Sequence, residues 1–259
     1  MRPEPCRRTL RRLAASLALV ALPVMPVRAA AAAPGGVPDR PAAAASRGTV
    51  PGPDAVRPEA IERVRAWNRE AFERYEAGEV ARALALFRRA AAEGDASARY
   101  NVAVIRLRDE SRAVPLEAAL AMLRASARAG FAPAQHMLAT MLETGRHLPS
   151  SQPEATGWYA RAAEQGLTDA QLALATQYYL GRGVARDYAR AAHWYRRAAD
   201  GGDVGAQYLI ASMYEKGLGV PQDLRAALEW YSVAARQGDE AARGLARALA
   251  DRIARERDF

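Results

Sequence analysis

Residues 168–203 read TDAQLALATQYYLGRGVARDYARAAHWYRRAADGGD, and residues 204–239, VGAQYLIASMYEKGLGVPQDLRAALEWYSVAARQGD, repeat the pattern. Gly202 and Gly238 stand 36 residues apart, and Gly94, Gly130 and Gly166 continue the same interval upstream. Four residues after each glycine comes an alanine: Ala98, Ala134, Ala170, Ala206 and Ala242. Small pairs recur just before the glycines, as Ala90-Ala91, Ser126-Ala127, Ala162-Ala163, Ala198-Ala199 and Ala234-Ala235. Ala119, Ala155, Ala191 and Ala227 keep the period. So do Trp158-Tyr159, Trp194-Tyr195 and Trp230-Tyr231, with Met122-Leu123 in the same slot earlier. So many columns at one spacing mark an internal repeat.

Each column has a physical task. Ala170, Leu174, Ala175 and Tyr178 form one apolar stripe, which predicts a helix over Thr168–Leu180. Gly181 is placed to end it in a left-handed conformation, and Gly183 relaxes the turn that follows. Asp187 is placed to cap a second helix over Tyr188–Asp200, as Asp223 is one unit later. That second helix turns Ala191, Trp194, Tyr195, Ala198 and Ala199 inward. The alanines let backbones approach closely, while the aromatic rings fill the space between successive helix pairs. Gly202 permits a tight turn into the next helix, which Asp203 can cap. One hairpin cannot bury its apolar faces alone; stacked hairpins can. The fold class is therefore all-α, an α/α superhelical solenoid.

The run Ala170-x3-Leu174-Ala175-x2-Tyr178-x2-Gly181-x-Gly183-Val184-x2-Asp187-x3-Ala191-x2-Trp194-Tyr195-x2-Ala198-Ala199-x2-Gly202 resembles the Sel1-like repeat of the tetratricopeptide superfamily. The unit through Tyr214, Gly217, Gly219, Val220, Asp223, Ala227, Trp230 and Tyr231 matches it equally. The unit from Ala134 to Gly166 keeps Gly145, Ala155, Trp158 and Tyr159 but lacks the second glycine and the capping aspartate. The unit from Ala98 to Gly130 is more worn, with Asp109 and Ser111 in the glycine slots. Where the family has a glycine in the first helix, this chain has Ala103, Ala139, Ala175 and Ala211, which predicts slightly wider packing. Gly78, Ala83, Phe87 and Ala90 resemble an ordinary tetratricopeptide unit, preceded by an amphipathic stretch over Pro58–Glu76. The expected organisation is a tetratricopeptide-like first unit over 59–94, four Sel1-like repeats over 95–238 and a C-terminal capping helix over 239–259. In that last segment Leu245, Leu249 and Ile253 share one side and arginines occupy the other.

The chain is basic overall, but the charge is not spread evenly. Residues 1–30 carry a net +5, 31–58 carry +1, and 59–259 carry only +2 with both signs interspersed. A nucleic-acid footprint is not supported. Met1 to Arg12 is a basic stretch, Leu13 to Val27 an apolar run of 15 residues, and Val27-Arg28-Ala29-Ala30 offers small residues for cleavage. That is the pattern of a secretory signal peptide over 1–30, too short and too proline-interrupted for the roughly 20 residues of a spanning helix. The expectation is a periplasmic or secreted protein of Gram-negative-type export, with membrane contact only through an uncleaved leader. Arg7-Arg8 leaves Sec and twin-arginine export both open. Cys6, the single cysteine, would leave with the leader. Residues 31–58, rich in alanine and proline, read as a flexible linker.

Chemistry is sparse. His136, His147 and His193 lie in three different units without the spacing that puts two imidazoles on one helix face, so no metal site is expected. Gly181-Arg182-Gly183 and Gly217-Leu218-Gly219 complete no phosphate-binding motif, and no cofactor is expected. The single lysine, Lys216, is preceded three residues earlier by Met213, so there is no SxxK, and GxSxG is absent. No catalytic residue is assigned. The alternative reading, suggested by cysteine-rich relatives, is a cell-wall-active enzyme (β-lactamase-like or penicillin-binding) or a peptidoglycan or glycan binder.

The resemblance instead implies a concave surface lined by the first helix of each hairpin, working as a protein–protein adaptor or scaffold. Mapped by analogy with the tetratricopeptide groove, its lining comprises Tyr100, His136, Thr140, Glu143, Leu172, Thr176, Tyr179, Tyr208, Ser212 and Glu215. Tyrosine suits such a surface because it brings contact area at low entropic cost and a hydroxyl for register. For the family, this implies roles in envelope assembly, signalling or host interaction, with a partner that the residues do not name.

Overall fold

A computed structural model describes residues 58–108 and 114–257; the leader, nearly all of the linker, and Asp109 and Ser111 lie outside the described residues. The described chain is helical throughout: α1 Pro58–Glu76, α2 Val80–Ala92, α3 Ala96–Leu107, α4 Leu116–Arg128, α5 Ala132–Thr144, α6 Gln152–Glu164, α7 Thr168–Leu180, α8 Tyr188–Asp200, α9 Val204–Lys216, α10 Leu224–Arg236 and α11 Glu240–Arg257. Consecutive helices pair as hairpins, α1 with α2 through α9 with α10, and each hairpin packs on the next until α11 closes the row. The result is an α/α superhelical repeat fold with a layer of first helices and a layer of second helices.

The alanine columns explain the close stacking. Ala98, Ala134, Ala170, Ala206 and Ala242 have no accessible surface, and neither do Ala103, Ala139, Ala175 and Ala211 or Ala119, Ala155, Ala191 and Ala227. A longer side chain at any of these points would have to push two backbones apart. Between the alanines lie large buried groups in one column: Phe87, Leu123, Tyr159, Tyr195 and Tyr231. On the outer layer arginines lie across tryptophan faces, Arg161 over Trp158 at 4.4 Å and Arg197 over Trp194 at 5.2 Å.

The corners are equally regular. Gly94, Gly130, Gly166, Gly202 and Gly238 all adopt a left-handed backbone, with φ between 90° and 97°. After each, the next amide donates to a carbonyl five residues back, as Asp203 N–H does to Ala198 at 3.1 Å. This closes the end of every second helix. Asp187 and Asp203 cap their helices through bonds from Arg190 N–H and Ala206 N–H, at 2.9 and 2.6 Å. Asp223 caps α10 in the same way through the Arg225 and Ala226 amides.

Gly183 and Gly219 do more than relax a turn. A Cβ on Gly183 would run into the Gln152 carbonyl at the start of α6, and one on Gly219 into the Tyr188 carbonyl at the start of α8. These glycines let the loop of one unit touch the backbone of the unit before it. In the earlier unit the same slot holds His147, at φ 65°, a non-glycine in the left-handed region.

A further column ties neighbours together. Gln135, Gln171 and Gln207 are buried, and each donates from Nε2 to a carbonyl in the last turn of the preceding second helix, Ala127, Ala163 and Ala199, at 3.1 to 3.3 Å. Arg99 Nε does the same to Ala91 at 3.3 Å. Each of these carbonyls also accepts from the glycine amide three residues on, so the side chain supplies a second donor at the helix end.

Candidate partner-binding face

Three of the first helices, α5, α7 and α9, each present a hydroxyl to the tyrosine of their own hairpin. Thr140 Oγ1 lies 3.1 Å from the Tyr159 hydroxyl, and Thr176 Oγ1 lies 3.1 Å from that of Tyr195. Ser212 takes the same position towards Tyr231. One turn further along, the slot holds Glu143, Tyr179 or Glu215. Tyr159 donates to Glu143 Oε2 at 2.8 Å, and Tyr231 donates to Glu215 Oε2 at 3.0 Å. In the middle unit the Tyr179 ring packs instead on Tyr195 and Tyr188, with centroids 6.3 and 5.2 Å away.

The electrostatics follow from burial. Loss of solvent pushes the Tyr159 and Tyr231 phenols far above their ordinary range, and the adjacent Glu143 and Glu215 add to it. Both hydroxyls therefore stay protonated and serve as donors. Burial lowers the pKa of His136, whose ring sits 5.5 Å from Tyr159; Asp169 and Glu143 pull it upward by less. That imidazole is neutral near pH 7. Burial likewise raises the carboxyl of Asp203, which caps α9, with Asp169 as a further cause.

Glu143 is also a joint between units. Gln177, on the next first helix, donates from Nε2 to Glu143 Oε1 at 2.8 Å. Arg182 Nη1 approaches the same oxygen at 3.9 Å. Gln177 replaces the methionine found at Met141 and Met213 in its column, and its buried Oε1 has no hydrogen-bond partner.

Nine of the ten residues expected on this face are half-buried along α5, α7 and α9: His136, Thr140, Glu143, Leu172, Thr176, Tyr179, Tyr208, Ser212 and Glu215. They gather into three sets around Tyr159, Tyr195 and Tyr231. Tyr100 requires correction: it is 2% exposed and packs edge-on against Phe131, 5.4 Å away. In its unit the neighbouring slots hold Val104 and Leu123, which offer no hydroxyl, and the face there closes as apolar core. Sequence reasoning treated Tyr159, Tyr195 and Tyr231 as packing only, and it passed over Gln177. The 36-residue period held the signal for the tyrosines, whereas Gln177 stands out only as a polar break in an apolar column. Among the described residues no cluster of histidine, cysteine, aspartate and glutamate could hold a metal ion, and no helix is long and apolar enough to cross a membrane.

Comparison with known proteins agrees with this geometry. The family model described as Sel1 repeat matches residues 80–95, 132–167, 168–203 and 204–239. Among solved structures, a protective antigen of uropathogenic Escherichia coli displaying an SLR fold is similar, with a TM-score of 0.65 and 30% identity over 71% of this chain. The present chain spans 40% of that antigen's length. A Sel1 repeat protein from Oxalobacter formigenes is similar with a TM-score of 0.62 and 28% identity, covering 72% of this chain and 78% of the other. No curated protein sequence matches at a significant level.

Proposed function

Because the chain is a Sel1-like repeat protein, we propose that it is an exported adaptor that holds a partner polypeptide along the face of its first helices. Sel1 repeats are typical of protein–protein interaction scaffolds and generally non-enzymatic. The observation that carries the reading is the threefold set of half-buried hydroxyl, aromatic and carboxylate groups, from His136 to Glu215, aligned on consecutive first helices. A face serving only to pack would be apolar there, as it is around Tyr100 and Val104. Polar groups at regular intervals offer an extended chain its register, and rings such as Tyr179 and Tyr208 offer contact area. Export rests on the basic-apolar-small order of residues 1–30.

In-cell cross-linking with mass spectrometry of captured partners tests the adaptor role. Replacing Tyr179 and Tyr208 with alanine should abolish capture of the main partner; undiminished capture would refute binding on this face. Amino-terminal sequencing of the protein from fractionated cells tests export, with a first residue near Ala29 to Ala31 expected. Recovery of intact Met1 would refute export with cleavage.

A further inference from the structure

Charge is sorted between the two layers of the hairpins α5–α6, α7–α8 and α9–α10. Helices α5, α7 and α9 carry Glu143, Asp169 and Glu215 against Lys216 alone, a net of −2 with His136 neutral. The second helices of the same three hairpins, α6, α8 and α10, carry six arginines against four acidic residues, a net of +2. In these three hairpins the more acidic layer is the face assigned to the partner.

At Glu143 the arrangement is more specific than a patch of charge. The carboxylate is 25% exposed and fixed from below by the Tyr159 hydroxyl and the Gln177 amide. The oxygen of that same amide is buried and unpaired, though its nitrogen already touches the carboxylate. That oxygen has no accessible surface, so the partly exposed Glu143 carboxylate is the acceptor that a ligand can reach. Arg182 does not fill the place: at 3.9 Å it is beyond hydrogen-bond length, and half its side chain is in solvent. An anionic ligand would meet repulsion there, whereas an ammonium or guanidinium would meet a fixed, partly exposed carboxylate.

Glu215 repeats the carboxylate two units on, again fixed by a tyrosine hydroxyl, with the Tyr179 ring in the unit between. Adjacent first helices touch through Gln177 and Glu143, so each step is about 10 Å and the two carboxylates stand roughly 20 Å apart. An extended chain advances about 3.3 Å per residue, so roughly six residues cover that span.

Resting on the reading of this face as a polypeptide groove, we propose that its occupant is an extended basic segment: one lysine or arginine on Glu143, a second about six residues away on Glu215, and an apolar side chain between them on Tyr179.

Selection of a random nine-residue peptide library on the full chain tests this. Native protein is compared with a Glu143→Gln, Glu215→Gln variant and with Tyr179→Ala. Glutamine retains an acceptor for each tyrosine hydroxyl, and circular dichroism melts verify that the variants fold. The expected result is enrichment of two basic residues about six apart, lost in the glutamine variant. By fluorescence anisotropy, each single Glu→Gln change should weaken an enriched peptide about tenfold, as a charge-assisted bond becomes a neutral one. Peptides that depend on Tyr179 but carry no basic pair, or that survive the glutamine changes, would overturn the basic occupant and leave the groove standing. Enrichment indifferent to all three residues, or none at all, would overturn the groove as well.

Discussion

Replacing Gly219 with alanine isolates the contact that sets one unit against the next. Gly219 has φ 72°, and its Cβ would meet the carbonyl carbon and oxygen of Tyr188 and the amide nitrogen of Ala189, all backbone atoms in the first turn of α8. Two costs arise. The left-handed conformation costs an alanine about 1 kcal/mol. The collision adds about 1–3 kcal/mol, because neither the loop nor the helix start can yield by rotating a side chain. Gly217 supplies the control: φ is 66°, but its Cβ would meet Gln222 Cβ at an ordinary 3.4 Å, so only the first cost applies. Gly219→Ala should therefore be less stable than Gly217→Ala by about 2 kcal/mol, roughly 4–8 °C in melting temperature for a fold of this size. Thermal and urea unfolding followed by circular dichroism would show it, and hydrogen exchange at the start of α8 should rise only in the Gly219 variant. Equal melting temperatures for the two variants would refute close backbone approach as the reason for the second glycine.

The same reasoning inverted makes His147→Gly stabilising by about 1 kcal/mol, since His147 holds φ 65° with a side chain attached; an unchanged melting temperature would count against it. Tyr159→Phe removes a donor from a carboxylate and should cost about 1.5–3 kcal/mol, whereas Tyr195→Phe loses the neutral bond to Thr176, about 1 kcal/mol; urea midpoints should fall in that order. Stability should decline as pH falls below about 6.5, because the unfolded chain then takes up a proton that buried His136 resists despite Asp169 and Glu143 nearby. His136→Gln should flatten the pH dependence between 7 and the lowered pKa, and an unchanged profile would assign that dependence elsewhere.

The repeat, the helix limits and the caps were legible because each rests on local chemistry repeated many times. The boundaries of α7 and α8 coincide with those read from Thr168–Leu180 and Tyr188–Asp200, since Gly181 and Asp187 act on their own helix ends. Long-range meaning was harder to see. Gly183 reads as a loose turn until Gln152, thirty-one residues earlier, is found against it. Tyr100 belongs to the same column as His136 and Tyr208, yet it closes into core because Phe131, Val104 and Leu123 surround it, and a single column carries no information about its neighbours. The Gln135, Gln171 and Gln207 column was visible as a period, but its acceptor is a backbone carbonyl and leaves no mark on the amino-acid pattern.

That glutamine column has an evolutionary consequence. Each amide nitrogen donates to the hairpin immediately before it, so a 36-residue block carries its own fastening to its predecessor. In-frame duplication of such a block would lengthen the array without redesigning either terminus, and deletion would shorten it as cleanly. Unequal recombination between neighbouring blocks is thus a ready source of variants that differ in reach, each one inheriting a joint that already fits.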